Sequence, residues 1–254
     1  MKRIIKLLVS AIYGVFRRRG RSGTCVVLYY HAVPDTQRGA FARQMDVLLR
    51  LAKPVPADVS QLESGRLHVA VTFDDAFRSA AANAIPEALK RGIPVTVFIP
   101  TGFLGRHPDW IAEPDHPLRG ETVMTADEIK QLSHPLITWG SHGVTHPNFT
   151  RLSNEEAERE LRESKSALNA TLFSFPFGAF DSRSVELARR GGYQRVFTTL
   201  PQTFRGAVDV FVVGRVSVEP TDWPIEFRLK VLGAYSWLPA AFALKRALQG
   251  NRSG

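Results

Sequence analysis

The sequence predicts an α/β fold in which parallel strands and helices alternate, as either a barrel or an open sheet. Short apolar and β-branched runs, such as residues 69–72 and 95–99, have the length and composition of buried strands. Amphipathic helical stretches separate these runs, and two of them begin with capping boxes at residues 125–128 and 153–156. The chain of 254 residues, 44% hydrophobic and 22% charged, is long enough for one large domain of this class.

The predicted elements follow one another regularly along the chain. Apolar residues at helical spacing predict helices near 41–49, 77–89, 155–168 and 181–190. Runs rich in β-branched and aromatic residues predict further strands at 25–30, 136–139, 171–175, 193–199 and 209–213. Residues 101–121, rich in Gly, Pro, His and Asp, are predicted to form a long loop near the mouth of the fold.

The chain divides into a basic amphipathic segment at 1–22, a folded domain at 23–235 and an apolar, basic tail at 236–254. Residues 1–23 carry seven Lys and Arg and no acid, and the apolar run at 4–16 is too short to span a bilayer as a helix. The pattern predicts a helix lying in a membrane interface, with arginines on anionic headgroups. The alternative is an ordinary amphipathic helix docked on the domain. A signal peptide fits less well, because the arginines follow the apolar run where a cleavage site should be.

The formal net charge of +9, from 33 Lys and Arg against 24 Asp and Glu, favours an anionic partner. The basic residues cluster beside apolar ones, which suits a lipid surface better than nucleic acid, so no nucleic-acid partner is predicted. We expect a peripheral inner-membrane or a cytoplasmic location, and secretion is less favoured. The single cysteine, Cys25, excludes an internal disulfide and a cysteine zinc cluster.

Two adjacent acids, Asp74 and Asp75, stand where the strand at 69–72 is predicted to end. In α/β folds this end of a strand is where ligands bind, and two neighbouring carboxylates there repel each other unless a cation compensates. Neighbours at a strand end also point in different directions, so one acid can hold a metal while the other transfers a proton. The structural alternative is a helix cap followed by an acid in the first helical turn.

Two histidines, His142 and His146, follow another predicted strand at a spacing of four residues. On a helical turn this spacing brings both rings to one side, as a metal site requires. Two imidazoles and one carboxylate form the three-ligand set of a catalytic metal site that keeps positions open for water and substrate.

Three stretches resemble the first three motifs of the polysaccharide deacetylases, carbohydrate esterase family 4: TFDD at 72–75, SHGVTH at 141–146 and FSFPFG at 173–178. The likeness covers roughly residues 24–235 and is closest to the branch that acts on exopolysaccharides, for which the Tyr30-His31 pair is also typical. It implies a distorted (β/α) barrel of about seven parallel strands, with residues 23–235 as the catalytic domain. It also implies metal-dependent removal of N-acetyl groups from the amino sugars of an acetylated polysaccharide.

Position within these motifs implies a role for each polar residue. Asp74 would be the general base, and Asp75, His142 and His146 would bind a divalent metal. Zn²⁺ suits this ligand set, and Co²⁺ or Ni²⁺ would also suit it.

The chain departs from the family pattern at the residues that support the base and supply the acid. Many members carry Arg where this chain has Ser174, and Arg215 is the candidate replacement. No histidine follows His146 to act as the general acid, and His31 at the N-terminal strand fits that role in the exopolysaccharide branch. The backbone N–H of Phe177, which follows Pro176, would help to hold the oxyanion.

Asp222 and Trp223 are further candidates for lining a substrate groove, although a tryptophan is more often part of a packed core. Two other functions remain open at this stage. One is an esterase that removes O-acetyl groups with the same residues, and the other is a non-catalytic relative that binds glycans.

Overall fold

Strands from the whole length of the chain form one sheet in the computed structural model, which describes residues 2–16, 23–205 and 210–250. Within these ranges the strands are β1 (Thr24–Tyr30), β2 (Lys53–Pro54), β3 (Leu67–Phe73), β4 (Val95–Ile99), β5 (Ile137–Ser141), β6 (Leu172–Ser174), β7 (Arg195–Thr198), β8 (Thr203–Arg205), β9 (Val212–Gly214) and β10 (Val216–Ser217). Their order is β10-β1-β3-β4-β5-β6-β7-β9, and all of these neighbours pair in parallel. In addition, β2 pairs with β3 and β8 runs antiparallel to β1.

The sheet returns on itself as a nearly closed barrel. Its two end strands, β9 and β10, are separated in the chain by Arg215 alone. Counting 212–217 as one interrupted strand gives seven parallel strands around the ring, which confirms the barrel that the family resemblance implied. Arg215 lies at the closing point, and its side chain is fully buried.

Helices cover the outside of the barrel between the strands. They are α1 (Lys2–Phe16), α2 (Arg38–Leu51), α3 (Ile85–Leu89), α4 (Ala126–Gln131), α5 (Asn154–Leu168), α6 (Ser182–Arg190), α7 (Pro224–Val231) and α8 (Leu238–Gly250). Both predicted capping boxes are confirmed, because Thr125 and Ser153 accept hydrogen bonds from the backbone of Glu128 and Glu156. None of the helices in the described ranges combines the length and the hydropathy needed to cross a bilayer.

Two elements differ from the sequence prediction. The helix predicted at 77–89 is a wide π-helical turn at Ala80–Ala84 followed by the short α3. Pro86 has no N–H to donate, so regular helical bonding cannot continue through this point. The strand predicted at 209–213 is displaced to Val212–Gly214, and residue 209 itself lies outside the described residues.

Side chains alternate along the strands between the barrel interior and the helical layer. Cys25 and Val27 of β1 belong to an interior cluster that also contains Phe98 of β4 and Phe197 of β7, strands that are not neighbours of β1. The intervening Val26 packs instead into the outer cluster formed with α2, α3 and α7. This alternation decides which residues can reach the mouth of the barrel.

Helix α1 docks on the barrel through a mixed side, on which Leu7 and Ala11 pack against the core beside polar contacts. Arg3 binds Glu226 of α7 with an N–O distance of 2.7 Å, and the indole N–H of Trp237 donates to Ser10 Oγ at 3.0 Å. Ser10 is buried by this contact. The apolar side of the helix faces outward, since five of its residues are more than half exposed: Ile4, Ile5, Leu8, Ile12 and Val15.

Candidate active site

The interior positions of several strands lead to polar residues at one end of the barrel. Ala70, Leu172 and Val213 belong to the interior cluster, and the residue two positions after each of them is polar. These residues are Thr72 after Ala70, Ser174 after Leu172 and Arg215 after Val213, and Asp74 comes two positions after Thr72. Because the strands are parallel, the polar residues meet at the carboxyl end of the barrel.

Asp75, His142 and His146 converge at this end with their ligand atoms facing one another. Asp75 Oδ1 lies 3.2 Å from Nε2 of His146 and 3.6 Å from Nε2 of His142. Ligands bound at about 2.0–2.2 Å in a tetrahedral zinc site are separated by about 3.3–3.6 Å, which the two Asp75–imidazole spacings approach. All three ligand atoms lie within 4.8 Å of one another, so the group could hold one metal ion. All three residues are buried.

The unsatisfied polar atoms of the site point to a cation. Asp75 Oδ1 is buried and makes no hydrogen bond among the described residues, in spite of its proximity to the imidazoles. Burying a carboxylate oxygen without a donor is costly, and metal coordination removes that cost. The residues therefore fit the divalent metal that the sequence implied.

His142 is held as a neutral ligand with a defined tautomer. Its Nδ1 lies 2.6 Å from the backbone carbonyl oxygen of Ser174, so Nδ1 carries the proton and the Nε2 lone pair faces Asp75. Burial lowers the pKa of His142 to about 4, against the opposing charge of Asp74. A neutral imidazole is the form that binds a metal.

Aromatic rings fix the position of His146. The Trp110 ring stacks on it with centroids 4.1 Å apart, and the Phe177 ring contacts it edge-on at 4.6 Å. Trp110 comes from the loop predicted near the mouth of the fold. Phe177 is 57% exposed, so the site has an aromatic wall that faces solvent.

The backbone is strained at three site residues. Asp75, His146 and Phe177 have φ values of 66°, 54° and 58°, a region that residues with a side chain rarely adopt. Such strain persists only where the surrounding structure holds it, and it concentrates at functional sites.

Asp74 points away from Asp75 and forms a buried ion pair with Arg215. The two guanidinium nitrogens lie 2.7 Å from the two carboxylate oxygens, which is the strong bidentate geometry. Arg215 also donates to Ser174 Oγ at 2.7 Å and to Thr72 Oγ1 at 3.1 Å. Burial alone would raise the pKa of Asp74, but Arg215 and His142 outweigh it and hold that pKa well below its usual range.

The structure brings Arg215 against Asp74 and Ser174, and its predicted role in orienting the base stays a prediction. At Ser174, where the family resemblance implies an arginine, the side chain instead accepts a hydrogen bond from Arg215. The small serine leaves room for a guanidinium that arrives from the strand closing the barrel. The guanidinium carbon lies 4.6 Å from the centroid of the Tyr29 ring, so an aromatic face also contacts this cation.

His31 lies directly after β1, with its ring edge-on to Tyr29 at 5.6 Å. It is partly exposed, and its charge contributes to lowering the pKa of both Asp74 and Asp75. This places the ring within electrostatic reach of the acid pair. Its predicted role as the general acid stays a prediction.

The third motif closes the site beside His146. Pro176 is buried, and Phe177 turns through its positive φ to pack against the histidine. Gly178 has a φ of +63°, and a Cβ at this position would meet Thr199 Oγ1 at 2.0 Å, so a side chain cannot be accommodated there.

Asp222 and Trp223, the candidates for the substrate groove, contact the N-terminal helix. Asp222 lies 2.7 Å from the Lys230 ammonium, and the Arg3 guanidinium lies 4.5 Å from the centroid of the Trp223 ring. Trp223 is 43% exposed, so it is not the core residue that its type favours. In the described part of the chain no contact joins either residue to Asp75, and their role toward substrate stays a prediction.

Sequence reasoning missed Glu160, a buried acid that binds the loop between the two histidines. A signal was present, because Glu160 stands among Ala157, Leu161 and Ser164 on the buried side of α5. A charge on that side of an amphipathic helix is unusual.

Comparisons with known proteins agree on one family. The polysaccharide deacetylase family model matches residues 62–196. YxkH of Bacillus subtilis (strain 168), whose name assigns it to the polysaccharide deacetylases, is 25% identical over 158 residues. That match covers 60% of this chain and 52% of YxkH, so it spans about half the length of this relative.

Solved structures with similar folds include deacetylases. IcaB from Ammonifex degensii is 27% identical, with a TM-score of 0.66 over 85% of this chain and 97% of that chain. The Streptococcus pyogenes deacetylase PplD, solved in complex with acetate, has a TM-score of 0.63 over 79% of this chain and 94% of its own. Its identity of 18% supports similarity of fold alone.

Proposed function

The chain belongs to the polysaccharide deacetylase family, and on that premise we propose that it is a metal-dependent hydrolase removing N-acetyl groups from the amino sugars of a polysaccharide. The observation that carries the proposal is the convergence of Asp75, His142 and His146 next to a separate carboxylate, Asp74. This arrangement provides a metal-binding set and a proton acceptor at the mouth of one barrel.

In this proposal Asp75, His142 and His146 hold a divalent cation. Zn²⁺ suits one carboxylate and two imidazoles, and Co²⁺ or Ni²⁺ are also suitable. When bound, such an ion lowers the pKa of a water molecule and polarises the acetamide carbonyl.

Asp74 acts as the general base, and Arg215 orients it. The lowered pKa keeps Asp74 ionised at every pH near neutrality, so a proton acceptor is always present. Each carboxylate oxygen has a second lone pair, so Asp74 can accept a proton while both oxygens remain bonded to Arg215. The bidentate contact prevents the carboxylate from rotating toward Asp75.

His31 is proposed as the group that protonates the leaving amine. It is a partly exposed imidazole near the acid pair, and histidine titrates in the range that proton transfer to an amine requires. The backbone N–H of Phe177 is proposed to stabilise the oxyanion. The exposed ring of Phe177 provides an apolar surface for the sugar or its acetyl methyl group.

The proposed substrate is an exopolysaccharide or another cell-surface glycan that contains acetylated amino sugars. The test is acetate release from N-acetylglucosamine oligomers by the metal-loaded chain, with and without a chelator. We expect release that stops on chelation and returns on adding metal.

A variant carrying Asp74→Asn should bind metal but release acetate at least about 10²-fold more slowly. Absence of release by the metal-loaded wild-type chain would refute the proposal, and faster cleavage of O-acetyl than of N-acetyl sugars would reassign it to an esterase.

We further propose that α1 attaches the enzyme to an anionic membrane surface. The docked side of the helix uses Leu7, Ala11 and its contacts with Glu226 and Trp237, whereas five other apolar side chains remain more than half exposed beside the described barrel. Fully burying a large apolar side chain contributes about 1.5–3 kcal/mol, so five half-exposed ones would contribute roughly 4–8 kcal/mol on insertion. The cations of residues 1–22 would add attraction to anionic headgroups.

Co-sedimentation with phosphatidylcholine vesicles, with and without phosphatidylglycerol, tests this attachment. We expect binding that requires the anionic lipid, weakens with salt and is lost in the triple variant Ile4→Ser, Leu8→Ser and Ile12→Ser. Leu49→Ser on α2, at a residue 41% exposed, is the matched control and should bind as wild type does. Unchanged binding of the triple variant would refute lipid contact through α1. A wild-type dimer that the triple variant dissociates would indicate that a second copy covers this face.

A further inference from the structure

Glu160 is a buried carboxylate whose hydrogen bonds are directed at the loop between the two metal-binding histidines. Its Oε2 accepts from the backbone N–H of Val144 at 2.6 Å and of Thr145 at 3.0 Å, and its Oε1 accepts from Thr145 Oγ1 at 2.7 Å. Glu160 is 5% exposed, and within the described residues it forms no ion pair with a cation. The loop is therefore what satisfies this acid.

The loop in turn needs an external support. Gly143 and His146, at its two ends, have φ values of +82° and 54°. A Cβ on Gly143 would lie 3.1 Å from Glu160 Oε2, so the loop wraps closely around the carboxylate. The carbonyl oxygens of Gly143 and Val144 accept from the backbone N–H groups of Thr101 and Gly102, and Glu160 holds the donors on the other side of the loop. Strained residues persist only when neighbours hold them in this way.

A second set of hydrogen bonds joins the same helix to the start of the loop. Ser164, one turn after Glu160, donates to its carbonyl oxygen at 2.6 Å and accepts from Ser141 Oγ at 2.6 Å. Ser141 Oγ also lies 3.3 Å from the backbone nitrogen of Gly143, which donates to it. Helix α5 is thus bonded to the chain on both sides of His142.

We propose that Glu160 is a positioning residue that sets metal affinity by holding His142 and His146 in their ligating arrangement. The inference rests on the proposed metal site and deepens it. Two convergent N–H groups and a hydroxyl hold Val144 and Thr145, the middle of the loop, against α5. Residues that orient metal ligands without touching the metal typically change metal affinity about 10–100-fold when they are replaced.

The variant Glu160→Gln tests the inference, because it keeps the shape but replaces one accepting oxygen with an amide that donates. We expect the Kd for Zn²⁺, measured by chelator competition on the metal-free chain, to rise about 10–100-fold. Deacetylation at limiting metal should fall accordingly and recover at excess metal. Glu163→Gln on the same helix is the matched control, since the Glu163 side chain is 52% exposed and its contact is with Arg162.

The second variant, Thr145→Val, removes the hydroxyl contact and keeps both backbone contacts, while Thr145→Ser retains all three. Thr145→Val should raise the Kd in the same direction as Glu160→Gln but by less, and Thr145→Ser should match wild type. If Glu160→Gln does not fold, the Thr145 pair decides the question. A Kd equal to that of wild type in the folded variants refutes the inference, even where the urea stability of the metal-free chain falls. A wild-type chain that binds no metal refutes the proposed site itself, which is a separate outcome.

Discussion

Arg215→Met is the substitution that most directly tests the electrostatic design of this site. Arg215 is fully buried and Asp74 is 3% exposed, and the pair is joined by two contacts of 2.7 Å. Removing one member of a buried pair leaves an uncompensated charge, which costs about 3–5 kcal/mol. Methionine fills a similar volume, so little of the loss should come from a cavity.

The loss of unfolding free energy in Arg215→Met, relative to the wild type, should become smaller as the pH falls. In the wild type the pKa of Asp74 lies below its unfolded value, so its contribution to stability is present above the unfolded pKa and lost as pH falls through the folded pKa. Without Arg215, burial becomes the dominant influence and raises the folded pKa of Asp74 above the unfolded value. The variant then regains stability as pH falls from 7 toward the unfolded pKa, which is about 4. The difference between the two proteins should therefore shrink with acidification.

Urea unfolding of the metal-free proteins at several pH values measures this difference. A double-mutant cycle with Asp74→Asn supplies the coupling free energy, which we expect to exceed about 1.5 kcal/mol because neither charge remains in the double variant. Combining Arg215→Ser with Ser174→Arg moves the guanidinium to the position at which the family resemblance implies an arginine, and should recover part of the lost stability and activity. The outcome that contradicts this reasoning has two parts. The two single substitutions would lower the unfolding free energy additively, and the loss in Arg215→Met would be the same at every pH. Asp74 and Arg215 would then not be coupled electrostatically.

Three further outcomes follow from the same structure. Adding Zn²⁺ at about 100 times its Kd should raise the unfolding free energy of the chain by about 2.7 kcal/mol. This corresponds to a rise in Tm of roughly 5–11 °C, measurable by differential scanning fluorimetry, and Asp75→Asn should abolish the rise. His31→Gln should lower kcat about 10²–10⁴-fold while leaving the Kd for Zn²⁺ unchanged, and a lowered metal affinity would instead make His31 a structural residue. Burial raises the pKa of Cys25 to about 12, so a thiol reagent at pH 8 should modify it only in denaturant, and rapid labelling of the folded chain would contradict the buried position of β1.

The sequence was sufficient to predict that the candidate metal ligands would lie together, because they follow strands closely. Asp75 comes two residues after β3, and His142 comes directly after β5, so the parallel arrangement alone brings them to one end of the barrel. The number of strands was harder to read from local sequence patterns. Arg215 interrupts the closing strand, and 212–217 reads as two short pieces unless the chain is already known to form a ring.

The contacts that cross between elements could not be predicted in the same way. Arg215 was named as the candidate partner of Asp74, but Ser174 and Arg215 are 41 residues apart, and no local pattern indicated that Ser174 would accept a hydrogen bond from it. The same limit applies to Glu160, whose partners lie in a loop whose shape depends on positive φ values at Gly143 and His146. Local patterns predict elements and strand ends, whereas these contacts depend on how the elements are assembled.

The two adjacent acids, Asp74 and Asp75, point in different directions because the backbone turns at Asp75, and each acid therefore has its own proposed role. The positive φ of Asp75 directs its side chain toward the histidines, while Asp74 continues the interior side of β3 and meets Arg215. The Asp74–Arg215 pair is neutral as a unit, and burial keeps His142 neutral, so Asp75 supplies the negative charge of the proposed metal-binding set. A divalent cation held there keeps a net positive charge, which favours an oxyanion beside it. If Arg215 were absent, ionised Asp74 would bring a second negative charge and cancel that advantage, so the arginine supports the reaction through charge as well as through orientation.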